Sequence, residues 1–324
     1  MSLRWPEQRP GRDQVVSAYR LLLGREPESE AAIEAQLLAA TTNSDLRARL
    51  MASAEFRAQL DPEAARPMRL DLPPPDIECV AEEAALAALL ARVERSWAAL
   101  GETEPHWSVV TEPRFRAERL EENRAGFEET GQRSAGILVG LLARHGIAPG
   151  ELPHCLEFGC GVGRVTRALA RRFARVTGCD VSAPHLAVAA REAAAPNTAW
   201  WRSSIAAPMP PGGWDLWFST LVLQHNPPPV SRMVLDRAFA GLSPGGVAVF
   251  QVVTHVEGYR FRVADYLADA GPGGIEMHAL PQAEIFALAA GAGLSVLEVR
   301  DDSHVATGRP GQFLSHSFVL RRPA

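Results

Sequence analysis

Long hydrophobic runs are missing from this 324-residue chain. No uninterrupted apolar stretch reaches the roughly 20 residues that a membrane-spanning helix needs. The opening MSLRWPEQRPGRDQ carries no apolar signal core. Cysteine is scarce: Cys79, Cys155, Cys160 and Cys179 lack the close paired spacing of a zinc motif, and four in this length do not make a secreted disulfide scaffold. Three of them fall in or beside expected strands, which marks them as reduced packing residues. Positive charge is not in excess either. A net charge of -5 and a pI near 6.0 argue against bulk electrostatic binding to nucleic acid. Repeat arrays and long low-complexity segments are absent. The expectation is a cytoplasmic globular protein with no transmembrane segment. Its length allows one main domain and an appendage.

Four regions follow from the pattern. Residues 1–61 read as a small helical module, with Val15, Tyr19, Leu22 and Leu23 at helical spacing and a second stripe of Ile33, Leu37 and Leu38. Residues 62–76 form a proline-bearing linker with Pro62, Pro67 and Pro73-Pro74-Pro75. Residues 77–150 are a helical lead-in. One helix is expected from Ile77 to about Leu100, and further helices between 106 and 147 are placed as a cover over the main domain's mouth. Residues 151–324 alternate strand and helix. Strands are expected at 154–158, 175–180, 198–202, 214–219, 247–253, 293–299 and 313–320, with helices starting near Val162, Ala183, Pro229 and Pro281. Ser243-Pro244-Gly245-Gly246 is read as ending the third helix and turning into a strand. The last two strands are joined only by the loop Asp301–Gly311, so they form a hairpin. The fold class is therefore α/β: a doubly wound, mostly parallel seven-stranded sheet with an antiparallel closing strand.

The most informative run is Cys155-Leu156-Glu157-Phe158-Gly159-Cys160-Gly161-Val162-Gly163-Arg164. A short apolar strand runs into a glycine turn and a helical pattern, and Asp180 closes the next apolar run. Glycines let backbone approach a nucleoside-bearing cofactor, and the acidic residue accepts from ribose hydroxyls. Asp180 would serve a dinucleotide equally well, but the glycine segment does not match the usual dinucleotide phosphate fingerprint.

Residues 152–324 resemble the class I S-adenosylmethionine-dependent methyltransferases. The resemblance rests on Glu157–Gly163, Asp180, Asp215 in Gly213-Trp214-Asp215-Leu216, Leu221 to His225, Ser243–Gly246 and the closing strand pair. It implies S-adenosylmethionine as cofactor. Gly159, Gly161 and Gly163, with the flanking Phe158 and Cys160, would pack around its methionine part, which Glu157 helps to position. Asp180 and the adjoining Val181 would receive the ribose. Ser204 and Ile205 would approach the adenine, where similar proteins often carry an aspartate instead. Thr220 and Leu221 would lie near the methyl donor. The module at 12–60, with Tyr19–Pro27 and Ser53-Ala54-Glu55-Phe56, separately resembles bacterial helical modules that accompany polysaccharide and surface-glycan synthesis. That directs the acceptor toward a small molecule, a sugar or a glycan-linked intermediate, and makes the module a candidate dock for another protein.

His225 and His255 are the candidate catalytic bases, since imidazole accepts a proton near neutral pH. For each, a structural role in bracing its loop stands as the alternative. Trp200 and Trp201 are read as core or rim residues before base-stacking ones. Tyr259, Phe261 and Tyr266 are read as ordinary packing residues before pocket ones, and Trp107 and Phe115, which could close such a pocket from the other side, likewise. Asp301, Asp302 and His304 read as a solvated turn, and no metal is expected. A catalytically inactive cofactor-binding scaffold or regulatory protein remains as a second class of function.

Overall fold

A computed structural model of the chain describes residues 8–59, 75–269, 274–302 and 313–324. Leu60, the linker positions up to Pro74, and His304 lie outside these residues. The described residues fall into two units, one before residue 73 and one after it.

The first unit is four helices: α1 (Arg12–Leu23), α2 (Glu30–Ala39), α3 (Asn43–Met51) and α4 (Ala54–Gln59). Gly24 ends α1 in the left-handed region at φ 67°, where glycine avoids the Cβ clash. Ser29 and Thr42 cap α2 and α3 by accepting from the amides of Ala32 and Asp45. Val15, Tyr19, Leu23, Ile33, Leu46 and Leu50 form its core. Leu22 and Leu37 are only partly buried against that core, and Leu38 is exposed.

The second unit opens with α5 (Glu83–Thr103), α6 (Pro105–Val109) and α7 (Leu120–Arg144). The helix expected from Ile77 starts only at Glu83, because Ile77 instead bridges to Phe261 as an isolated strand pair. Next come β1 (His154–Phe158), α8 (Arg164–Leu169), β2 (Arg175–Asp180), α9 (Ala183–Glu192), β3 (Thr198–Arg202), β4 (Trp214–Ser219), α10 (Pro228–Ala240), β5 (Leu242–Val256), α11 (Val263–Ala268), α12 (Gln282–Gly291), β6 (Ser295–Asp301) and β7 (Phe313–Arg321). The sheet has seven strands in the order β3-β2-β1-β4-β5-β7-β6. The first five run parallel, and β7 lies antiparallel between β5 and β6.

The central strands are buried on both faces, as apolar parallel strands require, while the edge strands β3 and β6 are partly or largely exposed. Leu156, Phe158, Trp217, Phe250 and Phe318 pack with α10 and α12 on one side. Cys155, Val176, Leu216, Val249 and Val319 pack on the other with Leu138 and Leu142 of α7 and Val165 and Leu169 of α8. The helix α7 is thus a core layer of the sheet, whereas α5 and α6 reach its carboxyl edge. All four cysteines are free and buried.

Ser243-Pro244-Gly245-Gly246 does not end α10. The helix stops at Gly241, where a Cβ would lie 2.1 Å from the Trp214 ring. The four residues belong to the start of β5, whose pairing with β4 shifts register between Trp214 and Leu216. Gly245 takes φ 76° there, the irregular backbone that glycine permits in a strand.

Gly131 on α7 sits against the backbone of α8: a Cβ would come within 2.3 Å of the Arg164 carbonyl oxygen. Alanine gains about 1 kcal/mol of helix propensity over glycine, but forcing α7 off α8 disrupts packing worth roughly 1–3 kcal/mol. Gly131→Ala is expected to lower the thermal midpoint, measured by calorimetry. An unchanged or raised midpoint would show that the two helices separate without cost.

Candidate active site

The strand order reverses between β1 and β4, so the carboxyl ends of β1, β2 and β4 meet at a crevice, the place where open α/β sheets bind ligands. The loop after β1 carries Gly159, Gly161 and Gly163 at φ 77°, 52° and 74°. A Cβ on Gly159 would lie 2.3 Å from Val222, one on Gly161 2.5 Å from Val109, and one on Gly163 2.7 Å from the Trp200 ring. The loop therefore takes a left-handed backbone path in a space that no side chain could share. Asp180, at the end of β2, spans it: one carboxylate oxygen accepts from the Gly161 amide and the other from the Ser182 amide, both at 2.8 Å. Burial raises its carboxyl above the usual range, opposed by His185 and by those amides. Such a carboxylate keeps lone pairs for further donors.

Glu157 is 4% exposed and accepts from the Thr166 hydroxyl at 2.5 Å. Burial pushes its carboxyl up to about 7, partly offset by Thr166 and Arg164. Its protonated form is thus favoured in the fold, so its contribution to stability is present below pH 4.5 and is lost as the pH rises through about 7. Glu157→Gln is expected to flatten that dependence by roughly 2–3 kcal/mol, measured from denaturation midpoints at pH 5.5 and 8. Parallel wild-type and variant profiles would contradict it.

The neighbouring side chains divide between core and crevice. Phe158 is in the core beside Trp217, and the Cys160 thiol is buried beneath the loop near Gly178; either would meet a cofactor through its backbone. Val181 is half-buried. Ser204 accepts from the Ala207 amide, and Ile205 is exposed. Trp200 covers Gly163 and Gly178 from β3, while Trp201 donates to the Ala207 carbonyl. Thr220 follows β4. Leu221 holds φ 58°, with its amide bonded to Gln251 Oε1 at 2.8 Å and Gln251 bonded in turn to Ser315. A left-handed non-glycine residue costs roughly 1–2 kcal/mol, so the Gln251 bond fixes a local conformation that the sequence does not announce.

His225 and His255 occupy different surroundings. His225 Nδ1 lies 2.8 Å from the Glu276 carbonyl. A carbonyl only accepts, so Nδ1 carries the proton and Nε2 is the basic nitrogen. Burial lowers the imidazole below 6.5 and favours this neutral form. His255 follows a β-bulge near the end of β5, and its buried Nε2 has no hydrogen-bond partner. The chain contains no lysine, which leaves imidazoles and carboxylates as its bases near neutral pH.

The lead-in helices contribute what the motifs did not reveal. Trp97 of α5 lies between the two halves of the crevice. Its carbonyl accepts from Ser182 beside Asp180, and its ring is 5.6 Å from His225. Ser108 and His106 of α6 are bonded to His185 and Glu192 of α9, holding Val109 over the glycine loop. Phe115 is fully buried against Phe127, and Trp107 is covered by Arg116. Val93, Ser96, Trp97, His225, Tyr266, Gly274 and Glu276 line a narrow recess that is partly open to solvent. The helical pattern expected up to about Leu100 carries no signal that Trp97 faces this crevice. Among the described residues, no group of three acidic, histidine or cysteine side chains could hold a metal ion.

The residues suit a nucleoside joined to an amino acid. The glycine loop leaves backbone as its only surface, and Asp180 stands at its edge. Arg164, which follows the loop, donates instead to Thr130 of α7.

Residues 155–246 match the family described as methyltransferase domain. The trans-aconitate 2-methyltransferase of Streptomyces avermitilis is 36% identical over 135 residues, 40% of this chain and 49% of that protein. The ubiquinone biosynthesis O-methyltransferase of Nitrosospira multiformis is 31% identical over 173 residues, 50% of this chain and 70% of that protein. The chain spans about half the length, or less, of these trans-aconitate relatives. A looser structural likeness, with TM-score 0.48 and 16% identity over 76% of this chain and 99% of the other, is to the magnesium protoporphyrin IX methyltransferase of Synechocystis PCC 6803. With a glycine loop, a β2-end aspartate and a seven-stranded sheet closed by an antiparallel strand, and with 31% identity across 70% of an established relative, the chain belongs to the S-adenosylmethionine-dependent methyltransferases.

Proposed function

We propose that this protein transfers a methyl group from S-adenosylmethionine to a small-molecule acceptor, with sugars and glycan-linked intermediates in the range to be tried. The observation that carries this reading is the position of Trp97, with the Asp180 end of β2 on one side and the unpaired Nε2 of His225 on the other. Gly159, Gly161, Gly163, Glu157 and Asp180 would hold the cofactor, with Val181, Ser204, Ile205, Thr220 and Leu221 around it. When bound, the cofactor supplies a sulfonium-activated methyl group. The protein's part is to orient the acceptor, exclude water and remove a proton. His225 Nε2 accepts the proton of an acceptor hydroxyl, and Trp97 and Tyr266 wall the recess. The relatives' names make a carboxylic acid and a ubiquinone precursor two acceptor types to test.

The experiment is transfer of isotope-labelled methyl to panels of phenols, alcohols, sugars, amines and carboxylic acids. Transfer to any member supports the reading; cofactor binding with no transfer to any would favour a binding scaffold. His255 is a second candidate base, and His255→Ala should impair turnover more than cofactor binding. Unchanged turnover with an accepted substrate would remove that role. The 1–61 module is proposed as a dock: its removal should weaken partner association more than turnover, and equal loss of folding and catalysis would refute separability.

A further inference from the structure

The recess around His225 contains more charge than its exterior suggests, and all of it is committed. Glu276 accepts from Arg92 at 2.8 Å with one carboxylate oxygen, and from Tyr266 and His278 with the other. Arg92 also donates to the carbonyls of Tyr266 and Asp269 and lies over the Tyr266 ring, 3.8 Å from its centroid. Tyr259 donates to Nδ1 of His278, which leaves His278 Nε2 as the donor to Glu276. With His278 first, then Tyr266 and Arg92, donating to it, Glu276 is held down to about 2 and is ionised. On the far side of Tyr266, Arg260 and Arg262 are paired with Asp76, and Arg262 also with Glu78.

The recess-lining polar side chains that no described residue satisfies are the Ser96 hydroxyl, the Trp97 indole N–H and His225 Nε2. All three are uncharged in the tautomer that the Glu276 carbonyl sets. An acceptor carboxylate entering here would lose its hydration and meet an ionised Glu276, with no cation among the residues that line the recess to receive it. An unpaired buried charge is among the most costly arrangements in a binding site. A neutral hydroxyl finds an acceptor in Nε2, two neutral donors, and an indole face for an apolar or ring-bearing body.

We infer that this recess selects an electrically neutral, hydroxyl-bearing acceptor and discriminates against carboxylates, with the Arg92–Glu276 pair as its specificity-determining element. The inference rests on the proposed methyl transfer and names the acceptor class of that same site. It separates this chain from the acceptor in the name of its trans-aconitate relatives, although the same family holds both.

The test compares 3,4-dihydroxybenzyl alcohol with 3,4-dihydroxybenzoate, which differ in one carboxylate, and adds glucose and trans-aconitate, using the full chain. Wild-type protein is expected to favour the neutral diol over its acid by at least about 30-fold in kcat/KM. Glu276→Gln, which releases Arg92, should narrow that ratio about 10-fold or more by improving the acid. The wild-type ratio stands as a test even if the variant does not fold. Preferred turnover of dihydroxybenzoate or trans-aconitate, or a ratio near one, would overturn the charge selection and leave methyl transfer intact. No transfer to any of the four by protein that binds S-adenosylhomocysteine would count against both the selection and the reading beneath it.

Discussion

His225→Gln is expected to lower kcat by roughly 10²–10⁴-fold with an accepted hydroxyl substrate, while cofactor affinity stays within about threefold of wild type. The asymmetry follows from position. Nδ1 is occupied by the Glu276 carbonyl at 2.8 Å, so the basic nitrogen points away from that backbone bond and into the recess. Glutamine preserves polarity and approximate volume but cannot accept a proton at neutral pH. The pH profile adds a second readout. Burial lowers the imidazole below 6.5, so the base remains neutral on descending to that pH. The acid limb of kcat/KM should fall below 6.5 and be absent from the variant. Stopped assays from pH 5 to 8 check it; an unchanged kcat in the variant would return His225 to bracing its loop.

Asp180→Ala should weaken S-adenosylhomocysteine binding by roughly 100-fold, about 2.7 kcal/mol, a normal loss for hydrogen bonds to an ionised group. Two effects add. The carboxylate that would receive the ribose hydroxyls is removed, and the Gly161 and Ser182 amides lose their acceptors. The second effect loosens the glycine loop itself, so Asp180→Asn, which keeps one carbonyl oxygen, should lose less. His225→Ala should have a smaller effect on this affinity than Asp180→Ala. Matched titrations of folded variants decide the order, and a larger effect at His225 would reverse the assignment.

The sheet was legible because its central strands are buried on both faces and read as short apolar runs between turn residues. Six of the seven expected strand starts fall within two residues of those observed. The exception is β5, which begins at Leu242 because Gly241, packed against Trp214, ends the preceding helix and frees Ser243–Gly246 to extend the strand. Ile77 misled for a different reason: with Val80 it mimics helical spacing, yet Val80 is exposed and Ile77 pairs with Phe261. The glycine loop was legible because its chemistry is local, three glycines and one aspartate in consecutive elements. The recess proposed for the acceptor was not, because its pairs are remote. Arg92 and Glu276 stand 184 residues apart, and nothing in either neighbourhood announces the other. Tyr259 and Tyr266 were visible as pocket candidates, but the carboxylate that organises them was not. The expected helix up to about Leu100 contains Trp97 without announcing its place, since periodicity reports which face is apolar and not what that face meets.

The most direct test of the account is calorimetric titration of wild type and Asp180→Ala with S-adenosylhomocysteine, with NAD as a control. The account predicts saturable one-site binding by wild type, a loss of roughly 100-fold in the variant, and no NAD binding. Absence of binding by folded wild-type protein, or equal affinity in the two proteins, would contradict it.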